Sequence, residues 1–436
     1  MRGFYDTLKI EYGKCPPDCS ACVDACVAAK KGRGPEDSRI VTVRAPEASF
    51  SGALTCLQCG EPGCAAVCPT GAITKSETDG TVRIAEEKCV GCALCSVGCQ
   101  YGGVLYDAKA KKSFKCDRCD GAPKCVEACE HGVLTYERTS TLRGYLRADD
   151  PFVHGTGLCF GCPAELALRL TLRILGSDTI VFGAPGCACQ PIIGLGTQAT
   201  AKVPTSMCLM TNVPSTMTGV KRYYRSQGKD VRCVAFVGDG ATVDIGFQPL
   251  SGAAERGENL IYICYDNEGY MNTGIQRSSS TSFHAWTNTS PVGKFRRGKE
   301  EVPKNVPLLM AFHGIPYVAT ANIGYLEDYA QKLQKAAQVT DGLVYIHLLS
   351  PCPTGWRART DSAVDICQAA VQTNFFPLWE AENGKFRITT EVKNPKPIRE
   401  YLKLMGKYSH LTDEEIEGFQ GVVDAGYKTI EKLSTL

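Results

Sequence analysis

The chain has 436 residues, 44% apolar and 22% charged, which suits two or three globular domains. A formal charge of +2 argues against nucleic acid as a main partner. No apolar run is long enough to span a bilayer, and the opening MRGFYDTLKIEYGK lacks an apolar signal core, so no membrane partner is expected. Of the 25 cysteines, eighteen lie before Pro163. With no secretory signal, they point to a reducing cytoplasm and metal-bound thiolates rather than disulfides.

Residues 1 to about 140 carry sixteen cysteines in four groups: Cys15, Cys19, Cys22, Cys26; Cys56, Cys59, Cys64, Cys68; Cys89, Cys92, Cys95, Cys99; and Cys116, Cys119, Cys125, Cys129. The third group has the C-x2-C-x2-C-x3-C spacing of bacterial ferredoxins, in which three thiolates clasp one cubane and the fourth ligates its neighbour. Four groups therefore predict up to four [4Fe–4S] clusters in a small α+β polyferredoxin-like domain over residues 1–145. Tandem zinc ribbons are the alternative, but they leave the third close cysteine of each group without a role.

The order of the groups resembles the four-cluster electron-transfer subunits of bacterial molybdenum oxidoreductases and hydrogenases. That resemblance implies exchanged fourth cysteines. Cys15, Cys19 and Cys22 would join Cys129, and Cys116, Cys119 and Cys125 would join Cys26. The inner pair would be Cys56, Cys59, Cys64 with Cys99, and Cys89, Cys92, Cys95 with Cys68. The sequence departs from that pattern in the x3 gap after Cys15 and in having its proline only after Cys68.

Charges, glycines and Pro151 mark a join near Leu142 to Pro151. The second domain, 150–385, opens with Cys159-x2-Cys162 and a helix candidate from Glu165 to Leu175. A strand candidate, Thr179 to Phe182, runs into Gly186-Cys187. The apolar run Val231 to Val237 then ends in Gly238-Asp239-Gly240. A helix candidate spans Gly246 to Arg256, and a second apolar run, Leu260 to Tyr265, ends in Asp266-Asn267. Strand, helix and strand make a βαβ unit of a parallel sheet, whose ligands lie beyond the carboxyl ends of the strands. A late strand candidate, Val344 to Leu349, ends in Ser350-Pro351-Cys352.

Mg²⁺ is commonly held by few protein oxygens plus phosphate. Asp239, Asn267 and the Gly269 carbonyl could be that share, with Gly238 and Gly240 admitting a diphosphate closely. This pairing resembles the diphosphate half-site of thiamine diphosphate (TPP) enzymes. The text NEGYMNTGIQRSSSTSFHAWTNTSPVGK is similar to the β subunit of 2-oxoacid:ferredoxin oxidoreductases. By that resemblance Cys159, Cys162, Cys187 and Cys352 bind a fifth [4Fe–4S] cluster, with Cys189 the rival of Cys187. Asn272 and Thr273 would face the reacting carbon. Glu165 is either a cofactor-side acid or a first-turn acid of its helix. Cys208, Cys233, Cys264 and Cys367 read as buried thiols. His284 and His313 read as structural.

The resemblance implies oxidative decarboxylation of a 2-oxoacid to an acyl-CoA and CO₂, with electrons leaving through the clusters. Fusion to a four-cluster module favours phenylglyoxylate, with NAD reached through a flavin subunit. Pyruvate with ferredoxin as acceptor is the alternative, and a pure electron-transfer subunit or a non-redox TPP enzyme are others. The chain shows no pyrimidine-side domain. An α-like partner carrying the activating Glu and a γ-like partner are therefore expected. The segment 386–436 reads as a helical tail for subunit contacts.

Overall fold

The computed structural model describes residues 4–11, 14–45, 50–59, 62–76, 79–140, 142, 151–153, 155, 157–193, 200–295 and 297–435. The chain divides into two compact units, Met1–Ala148 and Asp149–Leu436. Most of the expected join, Leu142 to Pro151, lies outside the described residues. No described helix is long and apolar enough to cross a membrane.

The first unit is tied at its ends. Strand β1 (Phe4–Ile10) pairs antiparallel with β8 (Leu134–Ser140). Between them lie three two-stranded ribbons. They are β2 (Ile40–Ala45) with β3 (Phe50–Thr55), β4 (Ile73–Lys75) with β5 (Val82–Ile84), and β6 (Val104–Asp107) with β7 (Lys112–Lys115). The third cysteine of each group sits on a short helix and is buried: Cys22 on Ala21–Ala29, Cys64 on Gly63–Ala66, Cys95 on Leu94–Val97 and Cys125 on Lys124–Glu127.

Two small cores result, and cysteines are part of each. One packs Cys22, Cys26 and Cys125 with Ile40, Ala53, Val133 and Leu134, flanked by Cys15 and Cys129. The other packs Cys64 and Cys95 with Ile73, Val82 and Val104, flanked by Cys68 and Cys99. So few apolar residues make a weak core on their own, and in small domains bound metal supplies the missing stabilisation.

The second unit is a mixed eight-stranded sheet. Its strands are β9 (Thr179–Gly183), β10 (Thr205–Met207), β11 (Arg232–Gly238), β12 (Ile261–Asp266), β13 (Tyr317–Asn322), β14 (Val344–Leu349), β15 (Trp379–Glu382) and β16 (Lys385–Ile388). The spatial order is β10-β9-β11-β12-β14-β13-β15-β16. The first six run parallel, and β15 and β16 extend the edge antiparallel. Cys233 to Val237 on β11 are at most 1% exposed, as a strand covered on both faces requires.

The helix between β11 and β12 spans Phe247–Glu255, and the one after Cys162 spans Ala164–Leu175. The segment read as a separate tail is folded into this unit. Its expected start falls inside β16, and its Tyr401, Leu402, Tyr408, Phe419 and Val423 belong to a core that also holds Trp356 and Ile366. Its last helix, Asp413–Ser434, begins with a capping box between Thr412 and Glu415.

Candidate active site

β11 delivers Gly238 and Asp239 to the carboxyl rim of the sheet, and a π-helical turn, Gly240–Asp244, follows at once. Such turns recur at functional sites. A Cβ on Gly240 would stand 2.3 Å from the Tyr270 ring, so only glycine admits that close approach. Asp239 is 1% exposed and accepts a 2.5 Å hydrogen bond from Ser278 Oγ. Burial, and after it the charge of Asp266, pushes its carboxyl well above the usual range. A cation at this carboxylate would relieve both penalties.

β12 delivers the partner oxygens. One terminal atom of the Asn267 amide stands 3.0 Å from Asp239 Oδ1 and 2.9 Å from the Gly269 carbonyl oxygen. As nitrogen it donates to both; as oxygen it completes a trio of oxygens with no hydrogen between them. Neighbouring oxygens on an Mg²⁺ octahedron with bonds of about 2.1 Å stand about 3.0 Å apart. The donors and their spacing therefore fit the ion. A cavity of about 120 Å³ is lined by Gly238, Asp239, Gly240, Asn267 and Gly269. Asn272, Thr273 and Cys187 line the same cavity. Thr273 donates to the Gln276 side-chain oxygen at 2.6 Å, and Asn272 is exposed at the rim.

The four cysteines expected to ligate the fifth cluster come together from three segments. Burial, then the neighbouring Cys352, Cys162 and Cys159, push Cys187 up to about 12. Cys162 is pushed up to about 11 by burial, with Cys352 and Cys159 adding to it. The Gly355 amide donates to Cys352 Sγ at 3.2 Å. Gly161, between the first two cysteines, has φ +74, and a Cβ there would meet the Thr360 carbonyl at 1.7 Å. Cys189 instead donates to the Gly186 carbonyl at 2.6 Å. Glu165 lies 3.5 Å from Arg169, and its charge reaches Cys162. His313 bonds Ser251 at 2.8 Å and lines no part of this cavity.

In the first unit the thiols meet across groups. Cys125 is pushed up to about 12 by burial, then by Cys116, Cys26, Cys119 and Cys22. Cys22 is pushed up to about 11 by burial, then by Cys15 and Cys19. Burial lifts Cys64 to about 11 while Lys115 opposes it, and Cys56 and Cys99 add to the rise. Cys26 thus stands with the fourth group and Cys99 with the second. Crowded, buried thiolates of this kind call for positive charge, which iron supplies. Backbone amides support the sulfurs: Arg39 N–H donates to Cys26 and Gly103 N–H to Cys99, each at 3.2 Å. Among the described residues no three Cys, His, Asp or Glu side chains converge as on a single ion. A cubane, which seats each ligand on its own iron, does not ask for that.

Residues 186–348 match the C-terminal TPP binding domain of thiamine pyrophosphate enzymes, and residues 49–139 match a 4Fe-4S dicluster domain. The NADH-dependent phenylglyoxylate dehydrogenase subunit beta of Aromatoleum evansii is 42% identical over 438 residues, covering 99% of this chain and 98% of that one. The chain belongs to the β-subunit family of 2-oxoacid:ferredoxin oxidoreductases. The pyruvate synthase subunit PorB of Methanocaldococcus jannaschii is 45% identical over 290 residues, 65% of this chain and 97% of that one. The ketoisovalerate oxidoreductase subunit VorB of Pyrococcus horikoshii is 41% identical over 294 residues, 66% and 94%. This β subunit is thus part of a TPP-dependent oxidoreductase that acts with partner subunits.

Next to the Asn267–Gly269 segment the β subunit carries a buried polar layer to which the sequence pattern assigned no role. Asp266 Oδ2 is 2.9 Å from His347 Nε2, whose Nδ1 is 2.8 Å from the Tyr345 hydroxyl, and Ser280 also donates to Asp266. Glu268 is buried at φ +62 and accepts from Ser282 and Lys407, each at 2.5 Å. Burial pushes the Lys407 amine down, while Glu268, then Asp266 and Cys352, favour its charge. The run Ser278-Ser279-Ser280-Thr281-Ser282 was the visible signal for the serine partners. Nothing local in the sequence pointed to His347 or Lys407.

Proposed function

We propose that this chain is the TPP- and cluster-bearing β subunit of an enzyme that oxidatively decarboxylates phenylglyoxylate to an acyl-CoA and CO₂. The observation that carries the reading is the single cavity that joins the Asp239–Asn267–Gly269 oxygens to Cys187. When bound, TPP supplies an electron sink for a 2-oxoacid losing CO₂, and iron–sulfur clusters accept the electrons.

The chain's own residues have separate tasks. Asp239, Asn267 and Gly269 hold Mg²⁺, and Gly238 and Gly240 let backbone reach the diphosphate. Asn272 and Thr273 orient the substrate at the rim. Cys159, Cys162, Cys187 and Cys352 hold the nearby cluster. The sixteen cysteines of residues 1–145 hold four more and pass electrons to a flavin subunit and NAD. An α-like partner brings the pyrimidine-side Glu, a γ-like partner completes the complex, and coenzyme A takes the acyl group. So many free thiols favour the cytoplasm.

The substrate reading rests on length. The similarity to the phenylglyoxylate dehydrogenase subunit runs through the cysteine-rich unit, whereas that to the pyruvate synthase subunit covers 65% of the chain. The second reading, pyruvate, rests on the 45% identity over the shared part to the pyruvate synthase subunit. Analysis of the intact complex tests the class: TPP with about twenty irons per chain, four for each of five clusters, supports it. TPP without iron would indicate a non-redox enzyme, and iron without TPP a pure relay. Turnover with a panel of 2-oxoacids, CoA, NAD and ferredoxin then decides the substrate and acceptor. Faster turnover of pyruvate than of phenylglyoxylate would replace the first reading with the second.

A further inference from the structure

We propose that Lys407 is a positioning residue that couples the diphosphate loop to Cys352 and raises the reduction potential of the cluster held there. The inference deepens the proposed function and rests on its assignment of Cys352 as a ligand.

Lys407 comes from the C-terminal segment, far in sequence from both loops, and is 2% exposed. Its amine donates to Glu268 Oε2 at 2.5 Å. Glu268 lies between Asn267 and Gly269, the two oxygen donors contributed after β12. The same amine stands 3.5 Å from the centroid of the Trp356 ring. Trp356 closes the one-turn helix Pro353–Trp356, whose N-cap is Cys352, and its backbone N–H donates to the Cys352 carbonyl at 2.8 Å. The ring N–H of Trp356 donates to the Asn267 carbonyl at 2.8 Å. The diphosphate loop and the cysteine loop are therefore joined twice, once through Trp356 and once through Lys407.

The lysine is held where it is. Gly406 N–H donates to the Arg357 carbonyl, and Trp286 N–H to the Lys407 carbonyl, both at 3.1 Å. A buried ion pair is a weak source of stability, because desolvating both charges offsets most of their attraction. Its placement is the informative part. Lys407 lies in electrostatic range of the Cys352 thiol. A cluster that accepts an electron gains negative charge, and a fixed cation in a low-dielectric surround favours that reduced state. Glu268 opposes it and sets how much of the lysine's charge the cluster feels.

The test is an EPR-monitored redox titration of the intact complex, with iron and TPP content measured alongside. Cys352→Ala identifies the cluster by loss of its signal and of about four irons. Lys407→Met should move that cluster's midpoint potential to more negative values in complexes that keep their full iron, and should weaken TPP retention because Glu268 loses its partner. Glu268→Gln, titrated at acidic pH where the buried lysine keeps its proton without its carboxylate partner, should move it the opposite way, because the lysine's charge is then uncompensated. Shifts of opposite sign support the proposal. An unmoved potential, or shifts of one sign in both variants, overturns it, since a merely structural role gives no sign reversal. If Lys407→Met fails to hold the cluster, the sign of the Glu268→Gln shift decides. Full iron and an unchanged spectrum in Cys352→Ala would instead overturn the ligand assignment beneath it.

Discussion

Asp239 is the one carboxylate in the oxygen trio, so its loss should empty the site. Asp239→Ala should cost about 3 kcal/mol or more of cofactor binding, roughly 100-fold. TPP retained after desalting reports it, while the visible absorbance of the first unit's clusters stays unchanged. Gly240→Ala should drive the Tyr270 ring aside and lower stability by about 1–3 kcal/mol. Gly219→Ala, in the helix Val213–Ser226 with nothing within 4 Å, should be neutral or slightly stabilising, and thermal melting of both variants against the parent measures the two effects.

Lys299 gives a pH signature. It is 2% exposed, donates to the Thr281 carbonyl at 2.6 Å, and is pushed down to about 8, chiefly by burial. Below pH 8 the fold carries a buried charge at a cost. Between about 8 and about 10.4 the unfolded chain keeps a proton that the folded chain has released, so this residue's contribution rises with pH. The stability of the parent relative to Lys299→Met should grow across that window, by at most roughly 3 kcal/mol. Urea denaturation at a series of pH values measures it.

At the scale of elements, the parallel strands and their polar endings were legible because a strand buried on both faces must be apolar along its length. The antiparallel edge was passed over although its signal was present. Asn383-Gly384, at φ +49 and +80, is the turn of the β15–β16 hairpin. The choice between Cys187 and Cys189 could not be made from spacing alone, since both follow β9 closely. The structure gives the Cys189 thiol a partner in the Gly186 carbonyl and sets Cys187 beside Cys352, Cys162 and Cys159, and we propose Cys187 as the ligand on that ground. Cys187→Ser should therefore lose about four irons per chain, and Cys189→Ser should keep them, by iron assay of the purified complex.

For the whole molecule, the chain purified alone should bind iron yet turn over no 2-oxoacid, and mixing with its α-like partner should restore activity. The cysteine groups were legible because a cubane imposes its spacing locally, whereas the Lys407–Glu268–Trp356 junction exists only after distant segments have met. That dependence bears on how the enzyme is built in the cell. Cys159, Cys162, Cys187 and Cys352 face one another only once β9, β11, β12 and β14 have formed their ladder. Iron offered to a nascent chain would find three neighbouring thiols of each group in residues 15–129 close at hand, and those four still scattered. Maturation of this subunit should then proceed in two instalments, with the metal beside TPP arriving last and only in chains that have finished folding.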